Sequence, residues 1–151
     1  MSSSVVIRRA VAVDRPQSAV YAYVSDFERA PEWREEVVEA SQDPRGPLQP
    51  GTRLRETARV LGSRVVTDSV VFSVDPGSRF AFRHLAGPLP VSGEWAVTAE
   101  GEHRSRVDYE LRIQLDGWWA LFAPLIRVSG PRQVARSLDA LRARLEAVPA
   151  A

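Results

Sequence analysis

The sequence predicts an α+β fold in which a curved antiparallel sheet of about seven strands wraps around a long C-terminal helix, with two short helices between the first two strands. Runs of alternating apolar and polar residues fill most of the chain up to residue 115. Short turns rich in glycine and proline join these runs, which makes consecutive strands antiparallel neighbours. From residue 117 onward, apolar residues recur at helical spacing instead.

The C-terminal helix is predicted over residues 117–147. Pro131 cannot donate a backbone hydrogen bond and Gly130 weakens the same turn, so a kink or break is expected there. The segment before it, residues 118–128, is apolar on nearly every side and is the expected point of ligand access. The segment after it carries one apolar stripe that suits packing on a sheet. This stripe comprises Val134, Leu138, Leu141, Leu145 and Val148.

The other elements follow from alternation, helical spacing and turn residues. Residues 4–13 form the first strand, and residues 16–25 form a short helix that begins at Pro16. A second helical piece carries Trp33, which is interpreted as a packing residue. Further strands are predicted at residues 36–40, 52–61, 64–74, 79–85, 91–99 and 105–115. The chain, residues 1–151, is expected to form one domain.

The last predicted strand alternates most clearly, with one apolar and one polar face. The apolar face comprises Val107, Tyr109, Leu111, Ile113 and Leu115. One buried and one wet face is typical of an antiparallel sheet that is covered on one side. A curved sheet around a single helix encloses more volume than the helix fills. An internal cavity is therefore expected, which is the usual site for a small molecule.

The composition excludes several classes of site. The 20 basic and 19 acidic residues nearly cancel, so general attraction to nucleic acid is not expected. Lysine and cysteine are absent, which excludes Schiff-base chemistry, Walker phosphate loops, disulfides and thiolate metal sites. With two histidines, a histidine metal centre is not expected either, and no cofactor is predicted.

Neither a signal peptide nor a membrane span is predicted. The first residues lack the apolar core of a signal peptide, and the longest apolar run, residues 118–126, is far too short to cross a bilayer. A soluble cytoplasmic protein is therefore expected. The sequence does not indicate whether the protein is a monomer or a homodimer.

Five segments resemble the START-like superfamily with its helix-grip fold, and in particular its polyketide cyclase/dehydrase-like group. They are residues 11–23 (VAVDRPQSAVYAY), 26–33 (DFERAPEW), 51–53 (GTR), 74–76 (VDP) and 138–146 (LDALRARLE). Together they span nearly the whole chain in the family's order. Arg142 stands where the family usually has lysine. The resemblance implies that a hydrophobic or aromatic small molecule binds in a cavity between the sheet and the long helix.

Three functions are compatible with this resemblance, because one fold hosts many activities. The chain could be a cofactor-independent enzyme similar to polyketide cyclases and dehydratases, or a non-catalytic carrier or sensor of lipids and other hydrophobic ligands. It could also be a protein-docking module without an open cavity. An open cavity with converging polar groups would favour the enzyme, an apolar cavity the carrier, and a filled interior the docking module.

Glu56 is the first candidate for acid–base catalysis. It shares a strand face with Leu54 and Ala58, so its carboxyl group should point toward the interior. A carboxyl group in an apolar cavity can serve as an acid or a base near neutral pH. The alternative is an inward acid that is paired with an arginine or reaches water at the mouth of the cavity.

His84 and Tyr109 are the other two catalytic candidates. Histidine is the usual proton carrier near neutral pH, and His84 would share the face of Phe80 and Phe82. Glu56 and His84 could form an acid–base pair if both face the cavity. Tyr109 could offer its phenol to a ligand carbonyl. The alternatives are a structural histidine at the end of a buried strand for His84 and an ordinary place in the core for Tyr109.

Six apolar residues are candidates for ligand contact, because aromatic side chains that line a pocket stack on aromatic ligands. They are Phe72, Phe82, Trp95, Leu111, Trp118 and Phe122. The alternative for each of them is an ordinary place in the core.

Overall fold

The computed structural model describes residues 2–147 and confirms the predicted α+β architecture. Seven strands form one antiparallel sheet, and two short helices join the first strand to the second. The strands are β1 (Ser2–Val13), β2 (Val37–Asp43), β3 (Arg53–Val60), β4 (Ser63–Asp75), β5 (Arg79–Ala86), β6 (Val91–Ala99) and β7 (Ser105–Asp116). The helices are α1 (Gln17–Val24), a first 3-10 helix (Phe27–Glu32), a second 3-10 helix (Gly117–Phe122) and α2 (Ala123–Ala147).

The strand order is β1-β7-β6-β5-β4-β3-β2, so every pair of neighbours except β1 and β7 is consecutive along the chain. Between β1 and β7, Val5 lies opposite Ile113 and Ile7 lies opposite Leu111. This pairing brings the N-terminal strand beside the segment that leads into α2, and α2 packs against β1. The curved sheet therefore holds the helix near one of its edges.

The predicted apolar stripe of α2 is buried in the core. Val134, Leu138, Leu141 and Leu145 are each less than 9% exposed, whereas the last member of the predicted stripe, Val148, lies outside the described residues. The charged residues on the other faces of the helix remain in water. Packing of this stripe, rather than helix propensity, is the main source of stability for such a helix.

Of the predicted kink or break near Gly130 and Pro131, the break is wrong, because α2 continues through both residues. Packing against the sheet compensates for the hydrogen bond that Pro131 cannot make. Gly130 allows close approach to β1, since a Cβ atom at this position would lie 2.7 Å from Cδ1 of Ile7. The predicted helix over residues 117–147 divides instead where the second 3-10 helix meets α2. No helix among residues 2–147 is long and apolar enough to cross a membrane.

Candidate ligand-binding cavity

A cavity of about 250 Å³ lies between the sheet and α2. Side chains from β1 and from β3 to β7 line it on the sheet side, and residues 126–137 of α2 contribute the helix side. On β7 the inward-facing Leu111 and Ile113 are only half-buried, because they face this space rather than packed atoms. The interior predicted from a curved sheet on one helix is therefore open.

The mouth of the cavity lies between the β3–β4 hairpin and the middle of α2. Four exposed residues that line the cavity mark it, namely Arg59, Leu61, Ser129 and Arg136. Access through residues 118–128 was predicted, but of that segment only Ile126 lines the cavity. The second 3-10 helix turns Trp119 and Ala120 into the core instead.

A buried ion-pair cluster forms the polar part of the cavity wall. Arg34 donates from Nη1 to Oε1 of Glu56 at 3.2 Å and from Nη2 to Oε2 of Glu56 at 3.3 Å. Its Nε donates to Oε1 of Glu36 at 3.1 Å. The side chains of Arg34, Glu36 and Glu56 are 15%, 14% and 20% exposed, respectively, so water screens these contacts only weakly. Both carboxylates therefore share one guanidinium group.

The electrostatics of this cluster act on both Arg34 and Tyr109. Burial lowers the pKa of Arg34, but the charges of Glu56 and Glu36 outweigh it and raise the pKa above its ordinary value. Burial raises the pKa of Tyr109, with Arg34 opposing this shift and Glu56 adding to it. At neutral pH Arg34 is thus a fixed cation and Tyr109 a neutral phenol.

Aromatic rings form the neighbouring part of the wall. The rings of Trp95 and Tyr109 stack with centroids 3.8 Å apart, and Trp33 meets Trp95 edge-on at 5.4 Å. Trp33 was predicted to be a packing residue, yet it also lines the cavity. Its Nε1 is buried and has no hydrogen-bond partner among the described residues. The wall therefore combines apolar ring surfaces with a buried indole N–H donor that has no partner among the described residues.

The three predicted catalytic residues do not all meet. Glu56 and Tyr109 line the cavity, and Glu56 takes the alternative role of an inward acid that is paired with an arginine. His84 does not line the cavity. Pairing between β5 and β6 stops at Phe82 and Gly93, and His84 lies beyond that point. The condition for an acid–base pair, that Glu56 and His84 both face the cavity, is therefore not met.

The predicted ligand contacts divide equally. Phe82, Trp95 and Leu111 line the cavity. Phe72 does not, because it sits at a bulge of β4 on the outer face, where it is 50% exposed and lies beneath Arg83. Trp118 and Phe122 do not line it either. They contact each other and Trp119 at the second 3-10 helix, outside the cavity wall.

Arg34 and Glu36 are the functional candidates that the sequence did not indicate. They lie in the irregular connection between the first 3-10 helix and β2, where no periodicity shows which way a side chain points. The inward position of Glu56 was the available signal, since a buried carboxylate needs a cationic partner. Among residues 2–147, no group of three or more acidic or histidine side chains comes together to hold a metal ion.

A family model described as "Polyketide cyclase / dehydrase and lipid transport" matches residues 4–146. No curated protein matches the sequence. Solved structures do resemble it, and one is a START superfamily protein from Mycobacterium smegmatis with 17% identity and a TM-score of 0.78, where the match covers 93% of this chain and 97% of that one.

Two further solved structures share the fold. A protein from Thermus thermophilus has 23% identity and a TM-score of 0.81, and the match covers 97% of this chain and 100% of that one. The Zhui aromatase/cyclase from Streptomyces sp. R1128 has 16% identity and a TM-score of 0.81, with 95% and 94% of the two chains covered. These similarities confirm the START-like helix-grip fold.

Replacing Arg34 by methionine should destabilise the protein by about 3–5 kcal/mol, because two buried carboxylates lose their cation. This change is measured by urea unfolding, with circular dichroism as the signal. Arg55→Met is the matched control, since Arg55 pairs with Asp68 on the exposed face and its loss should change the stability much less. Equal effects of the two substitutions would show that the ion pairs of Arg34 contribute no more to the free energy of unfolding than an exposed ion pair does.

Proposed function

Because this chain belongs to the polyketide cyclase / dehydrase and lipid transport family, we propose that it binds an aromatic or polycyclic small molecule in the cavity between the sheet and α2. The observation that carries the proposal is an open cavity of about 250 Å³ whose wall combines aromatic rings with buried polar groups. A cavity of this kind is the usual form of a small-molecule site.

The aromatic part of the wall favours a flat ligand. Trp33, Trp95, Tyr109 and Phe82 present ring faces and edges to one space, and such surfaces prefer to stack on other rings. The opposite wall on α2 is partly small, with Gly130 and Ser137 in place of bulky side chains. A space between aromatic rings and small residues suits a fused-ring molecule better than a flexible hydrocarbon chain.

The polar atoms in the wall favour a ligand with oxygen or nitrogen substituents. Nε1 of Trp33 and Oγ of Ser137 are buried and have no hydrogen-bond partner within the described part of the chain. Leaving such atoms unpaired is unfavourable, so a ligand that bonds to them gains affinity. These polar groups weigh against a carrier of plain hydrocarbon chains, and the open interior weighs against a docking module.

Filling the cavity from β3 should weaken binding. Ala58 lines the cavity, and Ala58→Leu should weaken binding of naphthylmethanol, a fused-ring alcohol, by at least about tenfold. Equilibrium dialysis measures the affinity. Ala96→Leu adds the same volume on the outer face of β6 and should leave binding unchanged. Equal affinity of Ala58→Leu and the unmodified protein would contradict binding in this cavity.

Catalysis of a cyclisation or dehydration is the second candidate function, and the position of Tyr109 favours it. Its hydroxyl group makes no hydrogen bond to another residue among those described, and its phenol is kept protonated by burial. It can therefore donate a hydrogen bond to a substrate carbonyl and support the charge that develops on that oxygen. Glu56 is less suited to act as a base, because Arg34 already engages both of its oxygens.

If this second function holds, Tyr109→Phe should lower the turnover of a synthetic poly-β-ketone thioester by about a hundredfold. Binding of the thioester should change much less, since the ring that stacks on Trp95 is retained. Product formation is followed by mass spectrometry. Tyr21→Phe is the control, because Tyr21 contacts Phe80 and does not line the cavity. Unchanged turnover in Tyr109→Phe would remove Tyr109 from the mechanism.

A further inference from the structure

We propose that Glu36 recognises a protonated amine on the ligand, so that the cavity prefers an aromatic ammonium compound over its neutral and anionic counterparts. This inference rests on the proposed function, because it names the chemistry of the ligand that binds in the same cavity.

The charges of the buried cluster do not balance. Glu56 uses both of its oxygens to accept hydrogen bonds from Arg34. Glu36 uses only Oε1, which accepts from Nε of Arg34 at 3.1 Å. One guanidinium group thus faces two carboxylates, and the cluster carries one surplus negative charge. Glu36 is the less engaged of the two carboxylates.

The second oxygen of Glu36 is the unsatisfied acceptor of the cluster. Oε2 is buried and has no hydrogen-bond partner within residues 2–147, and Glu36 lines the cavity. A buried carboxylate oxygen without a partner is among the most unfavourable arrangements in a protein interior. A donor that carries a positive charge satisfies the oxygen and balances the charge in one contact.

A second observation comes from the opposite wall. Ser137 on α2 is 6% exposed, lines the same cavity, and its Oγ also has no partner among the described residues. Buried polar atoms of this kind on both walls of one cavity indicate that the ligand supplies hydrogen-bonding groups. Glu36 differs from Ser137 in charge, and it therefore decides the charge of the ligand.

The other charged residues of the lining do not reverse this preference. Arg59 and Arg136 lie at the mouth, where both are exposed, and Arg136 is paired with Glu35 at 2.9 Å. Water and salt screen exposed charges strongly, whereas they screen a buried carboxylate only weakly. The mouth therefore contributes little to selection between ligands that reach the inner wall.

Four probes that share one ring system and one point of attachment test this inference. They are naphthylmethylamine, naphthylmethanol, naphthylacetate and methylnaphthalene, which offer an ammonium, a hydroxyl, a carboxylate and a methyl group. Equilibrium dialysis at neutral pH should show the amine binding at least about tenfold more tightly than methylnaphthalene, because a charge-assisted hydrogen bond is gained. The alcohol should lie between them and the acetate should bind most weakly.

Glu36→Gln should remove the preference for the amine over methylnaphthalene. Folding should persist in this variant, because Arg34 and Glu56 remain as a neutral pair. Thermal unfolding checks that condition. Glu39→Gln is the matched control, since Glu39 lies on β2, shortly after Glu36 along the chain, but is exposed and does not line the cavity. It should retain the full preference.

Three outcomes would contradict the inference in distinguishable ways. If methylnaphthalene or naphthylacetate binds as tightly as the amine in the unmodified protein, Glu36 does not select a cation, although the proposed function stands. If Glu36→Gln keeps the preference, another group is responsible for it. If none of the four probes binds, both the proposed function and this inference fail. The probe comparison in the unmodified protein requires no substitution, so poor folding of a variant cannot obscure it.

Discussion

The buried ion pairs of Arg34 are the interaction on which the cavity depends. Arg34 lies between the first 3-10 helix and β2, and its guanidinium group ties this irregular segment to Glu56 on β3. Backbone hydrogen bonds fix the segment as well, from the amide of Arg34 to the carbonyl of Ala30 and from the amide of Arg59 to the carbonyl of Glu36. Trp33 directly precedes Arg34, so the same contacts hold the indole ring of Trp33 nearly perpendicular to that of Trp95. The same contacts thus position both the polar and the aromatic parts of the cavity wall.

The cavity exists because α2 uses its two faces differently. Its apolar stripe, Val134, Leu138, Leu141 and Leu145, is buried in the core and stabilises the helix on the sheet. The residues of α2 that line the cavity include Ser129, Gly130 and Ser137, which are too small to fill the space enclosed by the curved sheet. The interior therefore stays open beside these small residues and is packed around Leu138, Leu141 and Leu145. A ligand can occupy the open side without unpacking the stripe that holds the helix.

Regular periodicity made the fold and part of the site predictable from the sequence. Alternation in β3 and β7 predicted that Glu56 and Tyr109 face the interior, as the structure places them. Periodicity could not reveal the orientation of Arg34, which lies in an irregular connection, nor the bulge beside Phe72. The predicted break at Pro131 overestimated a local preference, because the packing of α2 outweighs one lost hydrogen bond. Local rules thus hold where elements are regular and fail where tertiary contacts decide.

The most direct test of binding beside Arg34 is a solution NMR titration with naphthylmethanol that follows the indole N–H signals of the four tryptophans. Trp33 and Trp95 line the cavity, whereas Trp118 is 61% exposed outside its wall and serves as an internal control. Binding in the cavity predicts that the signals of Trp33 and Trp95 shift together with the Nε–H signal of Arg34, while that of Trp118 stays in place. A shift of Trp118 with unchanged signals from Trp33 and Arg34 would contradict the proposed site.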